Sequence, residues 1–379
     1  MQHMRSITEI GADLRGKRVL LRTSLNVPIT ADGGVGDVFR LKRARGTIEY
    51  LAERGAQIIL VGYIGRQGAS LAPVARVLQT LIPTSKIIFT DCAIGEVGEQ
   101  VARLSPGECL MLENIRRESG EEKNDPALAQ ALASLADVFV DDAFAEAHRA
   151  YASNVGVANL LPSYAGLLLL EEVERLTEAL TPPQGALALI GGAKFETKEP
   201  LITKLLALYK KILLGGALSD DVLQSRGVFV GRSLVSGQKV PHAIAHNDHI
   251  VLPSDMMMLD VDTGAKRVAE VRDIHAREDG LDIGTVTAAA WAKEVLAAPF
   301  VLWNGPMGMY EKGFTAGTEA LAKAVCEGSC RAVIGGGDTA AALAQFSFDP
   351  ARVFISTGGG AMLEFLAEGT LPALEILKK

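Results

Sequence analysis

The stretch AVIGGGDTA, residues 332–340, runs a short apolar segment into three glycines and then into helix-forming residues, and VFISTGGGA at 353–361 repeats the pattern. Both read as strand, glycine turn, helix N-terminus. Glycine admits left-handed and crowded backbone conformations, and three in a row strip the side chains from that piece of main chain, so a ligand can approach its N–H groups. The runs that follow, DTAAALAQF and AMLEFLAEG, favour helix and space their apolar residues at about the helical period. Amide donors and the positive end of a helix dipole then converge on one point, which suits a phosphate. One such turn alone reads as tight strand-to-helix packing. Two of them, one carrying an Asp and the other Ser-Thr, point to an anion site.

Outward from these turns the chain alternates. KRVLLRT, AQIILVGYI, KIIFTD, ECLMLENI and DVFVDDAF are each followed by a segment of helical period, which predicts βαβ units and a mostly parallel sheet covered on both faces. The amphipathic run AGLLLLEEVERLTEAL ends in TPPQG, whose prolines cannot continue a helix, so residues 165–181 are expected to form a long interdomain helix. After it come GALALIGGAK, KKILLGGAL, DHIVLPSDM, FVLWNGPMG, RAVIGGG and VFISTGGG, all with glycine or proline where the strand should end. Ligands of open α/β sheets bind beyond the carboxyl ends of the strands, so this half reads as a nucleotide or phosphate domain. The expected organisation is α/β: two Rossmann-like three-layer domains with mostly parallel sheets, residues 1–164 and 182–369, with the tail 370–379 returning to the first.

At 379 residues the chain exceeds one ordinary core, and 48% hydrophobic with 22% charged residues is the balance of a globular protein rather than a disordered one. The net charge of -7 argues against a nucleic-acid or anionic-membrane surface, so an anionic ligand needs a local basic cluster. MQHMRSITEIGADLRGKR has no apolar targeting core and no window is apolar enough for a membrane span, from which a cytoplasmic protein is expected. Cys92, Cys109, Cys326 and Cys330 form no CxxC pair and are expected as buried thiols of a reducing compartment.

No GxxxxGK[ST] occurs, which excludes a P-loop. The second half instead offers Lys194 and Lys198 in GGAKFETK, Asn304 and Glu311 in WNGPMGMYE, and Asp338 with Thr339 after the first glycine triplet. Phosphoryl transfer needs positioning and charge neutralisation: lysine or arginine on the phosphates, a carboxylate for magnesium, amides where charge develops. In the first half Arg40, Arg66, Arg116 and Arg149 fall near predicted strand ends. Guanidinium forks bind phosphate and carboxylate oxygens bidentately, so a converging set implies a small substrate bearing both; salt bridges to neighbouring acids are the other reading.

RVLLRTSLNVP, SLAPVARVL, GEEKNDP, DDAFAEAHRA, GGAK, GLDIG, WNGPMG, GGGDTAAA and STGGGAMLEFL occur in this order, and the set resembles phosphoglycerate kinase along essentially the whole chain. The resemblance implies 3-phosphoglycerate on the N-terminal domain, MgATP or MgADP on the C-terminal one, hinge closure between them, and reversible transfer of a phosphoryl group between 1,3-bisphosphoglycerate and ADP by a monomer. By that resemblance Arg40 faces the transferring group, Arg66, Arg116 and Arg149 hold the 3-phosphate, and Ser24, Asn26 and Tyr63 lie on the glycerate side. Lys194 and Lys198 meet the phosphates, Asp338 is the Mg2+ ligand, and Glu311 contacts the ribose. Gly192, Gly215, Gly216, Asn304, Met309 and Thr339 complete the nucleotide site. Gly337, Gly359 and Gly360 join Arg40 and Lys194 as catalytic donors, with Gly358 beside them.

The pattern also breaks. Ser24 stands where the family has Asp, and Tyr63 where it has His, both on the glycerate side. GGGMA becomes GGALS at 215–219, with Asp220 where an aromatic is typical, Val286 replaces a lysine, and Phe354 a histidine. Three readings follow: a working kinase that tolerates the changes, one retuned toward another small phosphorylated carboxylic acid or another nucleotide, and an inactive nucleotide-binding or regulatory relative. If the glycerate-side changes set specificity, Ser24→Asp with Tyr63→His is expected to raise 3-phosphoglycerate affinity. Separately, His242, His246 and His249 in PHAIAHNDH have about the spacing of a metal site on one helix face, without an evident carboxylate or thiolate to complete it.

Overall fold

The structure is a computed structural model in which residues 4–65 and 68–378 are described. The chain forms two compact units, Met1–Glu174 with Thr370–Lys379, and Arg175–Gly369.

In the first unit, β1 (Arg18–Thr23), β2 (Gln57–Val61), β3 (Ile87–Phe89), β4 (Cys109–Met111), β5 (Val138–Asp142) and β6 (Ser163–Ala165) form one parallel sheet in the order β3-β4-β2-β1-β5-β6. Side chains alternate faces along a strand, and the apolar runs are continuous because both faces are covered. Val19, Leu21, Ile58 and Leu60 enter one core with Leu41, Ile48 and Leu78. Leu20, Ile59, Leu110 and Phe139 enter the other with Val97 and Leu132. The covering helices are α1 (Phe39–Glu53), α2 (Ala72–Leu81), α3 (Gly98–Ala102) and α4 (Pro126–Ser134), followed by α5 (Leu167–Leu180). α4 starts where it does because the Asp125 carboxylate accepts the Ala127 and Leu128 N–H groups and Pro126 has no N–H to leave unmet. β6 is a strand that the apolar pattern does not announce.

The second unit contains α6 (Phe195–Leu205), α7 (Ala217–Ser225), α8 (His242–Ala245), α9 (Thr285–Ala297), α10 (Ala316–Glu327), α11 (Gly337–Ala342) and α12 (Gly360–Glu368). Its strands are β7 (Leu187–Ile190), β8 (Lys211–Leu214), β9 (Ile250–Val251), β10 (Asp255–Asp260), β11 (Lys266–Glu270), β12 (Glu278–Ile283), β13 (Phe300–Asn304), β14 (Arg331–Gly335) and β15 (Val353–Ile355). The six segments read from the second half all supply strands of its parallel sheet, ordered β15-β14-β13-β7-β8-β9. An addition is the antiparallel sheet β11-β10-β12. The run DHIVLPSDM is accordingly two strands of different sheets, broken at Pro253, which has no N–H for a ladder. The helix of the first glycine turn is also shorter than its sequence suggests, ending at Ala342.

The tail returns to the first unit as α13 (Pro372–Leu377), where the Ala373 N–H donates to the Ala147 carbonyl at 3.1 Å. Cys109 and Cys330 are buried, but Cys92 and Cys326 are only partly so, which corrects the expectation of four buried thiols; all four are free. Among the described residues no helix is long and apolar enough to cross a membrane.

Candidate active site

In an open parallel sheet the crevice for a ligand lies where neighbouring strands send the chain off in opposite directions. In the second unit that point is between β7 and β13. The two strand ends approach backbone to backbone: the Gly191 N–H donates to the Asn304 carbonyl at 2.9 Å, and a Cβ on Gly191 would stand 2.1 Å from the Pro306 oxygen. Gly305, at φ 98°, meets Gly191 in the same way. Gly191 of LIGGAK and Gly305 of WNGPMG are therefore required by this contact.

Lys194 caps the start of α6 with its side chain exposed, and one turn on Lys198 is 9% exposed. Its ammonium donates to the Asn304 Oδ1. Burial pulls the Lys198 pKa down to about 8, and the Asp338 carboxylate opposes that shift. The Asn304 amide in turn donates to the Gly335 carbonyl at 3.0 Å, so it is held from both ends. Gly336, at φ 104°, precedes α11, and Gly359, at φ 51°, precedes α12.

A cleft at this point is lined by five of the expected nucleotide residues, Gly192, Gly216, Met309, Glu311 and Asp338. Lys198, Asn304, Thr339 and Gly215 form a buried layer outside its lining, while Lys194, Gly337 and Gly360 are exposed and do not line it. Sequence reasoning missed the apolar wall of Leu234, Met256, Leu281 and Met307, and the acids Asp279 and Asp282. Asp282 accepts the Gly317 N–H at 2.9 Å, and burial raises its pKa to about 6. Asp220, in the first turn of α7, is 1% exposed and its Oδ1 has no hydrogen-bond partner. Burial, and then the nearby Asp279 and Asp221, raise its pKa well above the carboxylate range.

In the first unit the strand order reverses between β1 and β5. Ser24 and Asn26 follow β1, and Glu146 follows β5. The Asn26 side chain accepts the Gly65 N–H at 2.9 Å and donates to the Tyr63 hydroxyl at 3.3 Å. The Arg116 guanidinium lies 3.7 Å from the Tyr63 ring centre and donates to the Gly65 carbonyl at 2.7 Å. Arg40, in the first turn of α1, donates to the Asn26 carbonyl at 2.6 Å. Asn26 contacts both Tyr63 and Arg40, and Tyr63 contacts Arg116, at this end of the sheet, with Ser24 buried two residues before Asn26. Arg149 follows three residues after Glu146 with its side chain exposed, and Arg66 lies outside the described residues.

Beneath this crevice lies a buried cluster that the motif reading did not assign. Arg22, fully buried, donates to the Ser153 hydroxyl at 2.8 Å and to Glu146 at 3.3 Å. The Ser24 hydroxyl donates to the same Glu146 oxygen at 2.9 Å. Glu121 stands 3.6 Å from the Arg22 Nη2.

The histidine trio does not share one helix. α8 ends at Ala245; the His242 and His246 rings are 4.7 Å apart, while His249 turns its Nδ1 to the Tyr209 carbonyl at 3.1 Å. Among the described residues no three His, Cys, Asp or Glu side chains are grouped to hold a metal ion.

A profile of the family described as phosphoglycerate kinase matches residues 7–369. The phosphoglycerate kinase of Moorella thermoacetica is 41% identical, with 99% of each chain covered. That of Thermus thermophilus is 40% identical over 99% of this chain and all of the other. Among solved structures, the phosphoglycerate kinase of Coxiella burnetii superposes with a TM-score of 0.84 at 35% identity, covering 99% of both chains. The enzyme of Pyrococcus horikoshii superposes at 0.85 with 28% identity, covering 99% of this chain and 98% of the other.

Proposed function

Because the chain belongs to the phosphoglycerate kinase family, its reaction is the reversible transfer of a phosphoryl group between 1,3-bisphosphoglycerate and ADP, and we propose the following division of that reaction among its residues. The first unit holds 3-phosphoglycerate through Arg40, Arg66, Arg116 and Arg149, with Ser24, Asn26 and Tyr63 at the glycerate end. The second holds the nucleotide in the cleft, its base against Leu234, Met256 and Leu281, its ribose at Glu311 and its phosphates toward Gly192, Gly216 and Lys198.

In the direction of ATP use, a carboxylate oxygen of 3-phosphoglycerate attacks the γ-phosphorus while the bond to the ADP oxygen breaks. The attacking group is already anionic, so no general base is needed. The barrier is chiefly repulsion between anions, and the chain opposes it with fixed positive charge and N–H donors. Arg40 and Lys194 neutralise the transferring group. The N–H groups of Gly337, Gly359 and Gly360 offer donors at two helix starts, each opened by a glycine at positive φ. Lys198 is held by Asn304 at a position where desolvation strengthens its pull on a phosphate.

The cleft fits Mg2+ brought in on the nucleotide. Asp338 presents one carboxylate there, and Mg2+ characteristically takes one or two carboxylates with phosphate oxygens and water rather than a cage of protein ligands. The ion would supply charge neutralisation on the nucleotide phosphates. The chain is read as a cytoplasmic monomer acting on small molecules.

The observation that carries this assignment is the placement of Lys198 and Asn304 behind Gly192 and Asp338 at the reversal point of the sheet. Calorimetric titration with MgADP tests it. Asp338→Ala should weaken binding roughly 10- to 100-fold in Mg2+ and far less in excess chelator. Equal losses in both conditions would contradict the role given to Asp338.

A further inference from the structure

The buried cluster under the first crevice has an unbalanced set of hydrogen bonds. Glu146 is 3% exposed and Ser24 2% exposed. One Glu146 oxygen takes both the Ser24 hydroxyl proton and an Arg22 N–H. The other, Oε1, has no hydrogen-bond partner, while the Arg22 Nη2, which makes no hydrogen bond either, faces the Glu121 carboxylate at 3.6 Å. One carboxylate oxygen is thus left without a hydrogen bond in the cluster, although buried polar groups are nearly always satisfied.

The Ser24 hydroxyl has a single proton, and Glu146 takes it. Toward anything else Ser24 can then only accept. It is a neutral side chain made to act as a carboxylate acts, with the formal charge carried 122 residues away in sequence, at Glu146.

We propose that Glu146 is a positioning residue for the glycerate end of the acyl substrate, taking the Ser24 proton so that Ser24 accepts the substrate hydroxyl, and holding Arg22 in place beside it. This rests on the assignment of the first crevice to 3-phosphoglycerate. It also explains how the chain does without a carboxylate at position 24: the charge has moved across the sheet from the end of β1 to the end of β5. A corollary runs against the simple restoration of Asp at that position. Ser24→Asp alone sets two carboxylates where a 2.9 Å hydrogen bond now lies, and like charges at that separation cannot both stay ionised without cost.

The test is a four-protein cycle of wild type, Ser24→Asp, Glu146→Gln and the double variant. Thermal unfolding of each is recorded alongside KM for 3-phosphoglycerate and for MgATP. Each single substitution is expected to raise KM for 3-phosphoglycerate at least about 10-fold, with KM for MgATP within twofold of wild type. The double variant is expected to return to within about threefold of wild type. A double variant no better than the worse single, or singles that leave that KM unchanged, overturns the proposal. Should Glu146→Gln fail to fold, Ser24→Ala takes its place. It keeps the Arg22–Glu146 pair and should raise the same KM about 5-fold or more, yet less than Ser24→Asp does. The reverse order, or no change, overturns the proposal. Arg116→Ala serves as control. If it too leaves KM for 3-phosphoglycerate unchanged, the assignment of the crevice fails and takes the proposal with it. A raised KM in Arg116→Ala with unaffected Glu146 and Ser24 variants removes the proposal alone.

Discussion

The Thr339 hydroxyl accepts the Gly305 N–H at 2.7 Å and donates to the Gly335 carbonyl at 2.9 Å, tying the loop after β13 to the glycine turn after β14. Threonine is fully buried here, so water cannot replace either bond. Thr339→Val keeps the shape and orphans the Gly305 donor. It is expected to cost about 1–3 kcal/mol in urea unfolding and to raise KM for MgATP, with KM for 3-phosphoglycerate unchanged. Thr339→Ser should recover most of both.

Lys198 gives a pH signature. Its folded pKa of about 8 lies below the ordinary 10.5, so between these values the unfolded chain binds more protons and stability rises with pH. Lys198→Met should abolish that rise in a series of unfolding curves from pH 7 to 10.5 and be the more stable protein at pH 7. It should also lose turnover on the order of 10²-fold, the effect of removing the charge proposed to act on the phosphates.

Asp220 gives the opposite signature. A carboxyl whose folded pKa is raised leaves stability unaffected below its unfolded value and lowers it as pH climbs through the gap between the two. Asp220→Leu has the same branched outline and no buried polar atoms. It should be more stable than wild type by about 1–3 kcal/mol at pH 7, and the advantage should shrink toward pH 4. A melting-temperature series across that range reads it directly.

Tyr63 and Arg116 are stacked on each other at the end of the first unit proposed to hold the glycerate. The guanidinium stacks on the ring, and the ring hydroxyl accepts from Asn26. Tyr63→Ala removes both supports and is expected to raise KM for 3-phosphoglycerate roughly 3- to 30-fold, the range of a partly desolvated cation–π contact. Tyr63→Phe, which keeps the ring, should cost less. Steady-state kinetics with MgATP saturating separates the two.

What the sequence made legible follows from physics that is local. Apolar runs ending in glycine, such as LIGGAK and AVIGGGD, announce both a buried strand and the backbone approach beyond it, so the second parallel sheet could be read strand by strand. β10 to β12 escaped because β11, KRVAE, buries only its Ala269 side chain and offers no apolar run. The turn signal Asp-Thr-Gly at 262–264 was the available clue, with Gly264 at φ 73°. Cleft residues such as Met256 and Leu281 were lost with that sheet. The burial of Lys198 and the pairing of Ser24 with Glu146 depend on partners more than 100 residues distant. No window of sequence carries that information, and Glu146 in AFAEAH looks like any acid on a turn.

Phosphoryl transfer to a carboxylate is the family's reaction, and the lysines and glycine turns of the second unit and the arginines of the first are the groups proposed to serve it. The most direct test is steady-state turnover with 3-phosphoglycerate and MgATP, the acyl phosphate being consumed by a coupled reduction, in wild type, Lys194→Ala and Arg40→Ala. Turnover is expected in the wild type and should fall at least about 10²-fold in each variant. Wild-type protein that binds MgADP yet shows no turnover above the two variants would contradict that expectation.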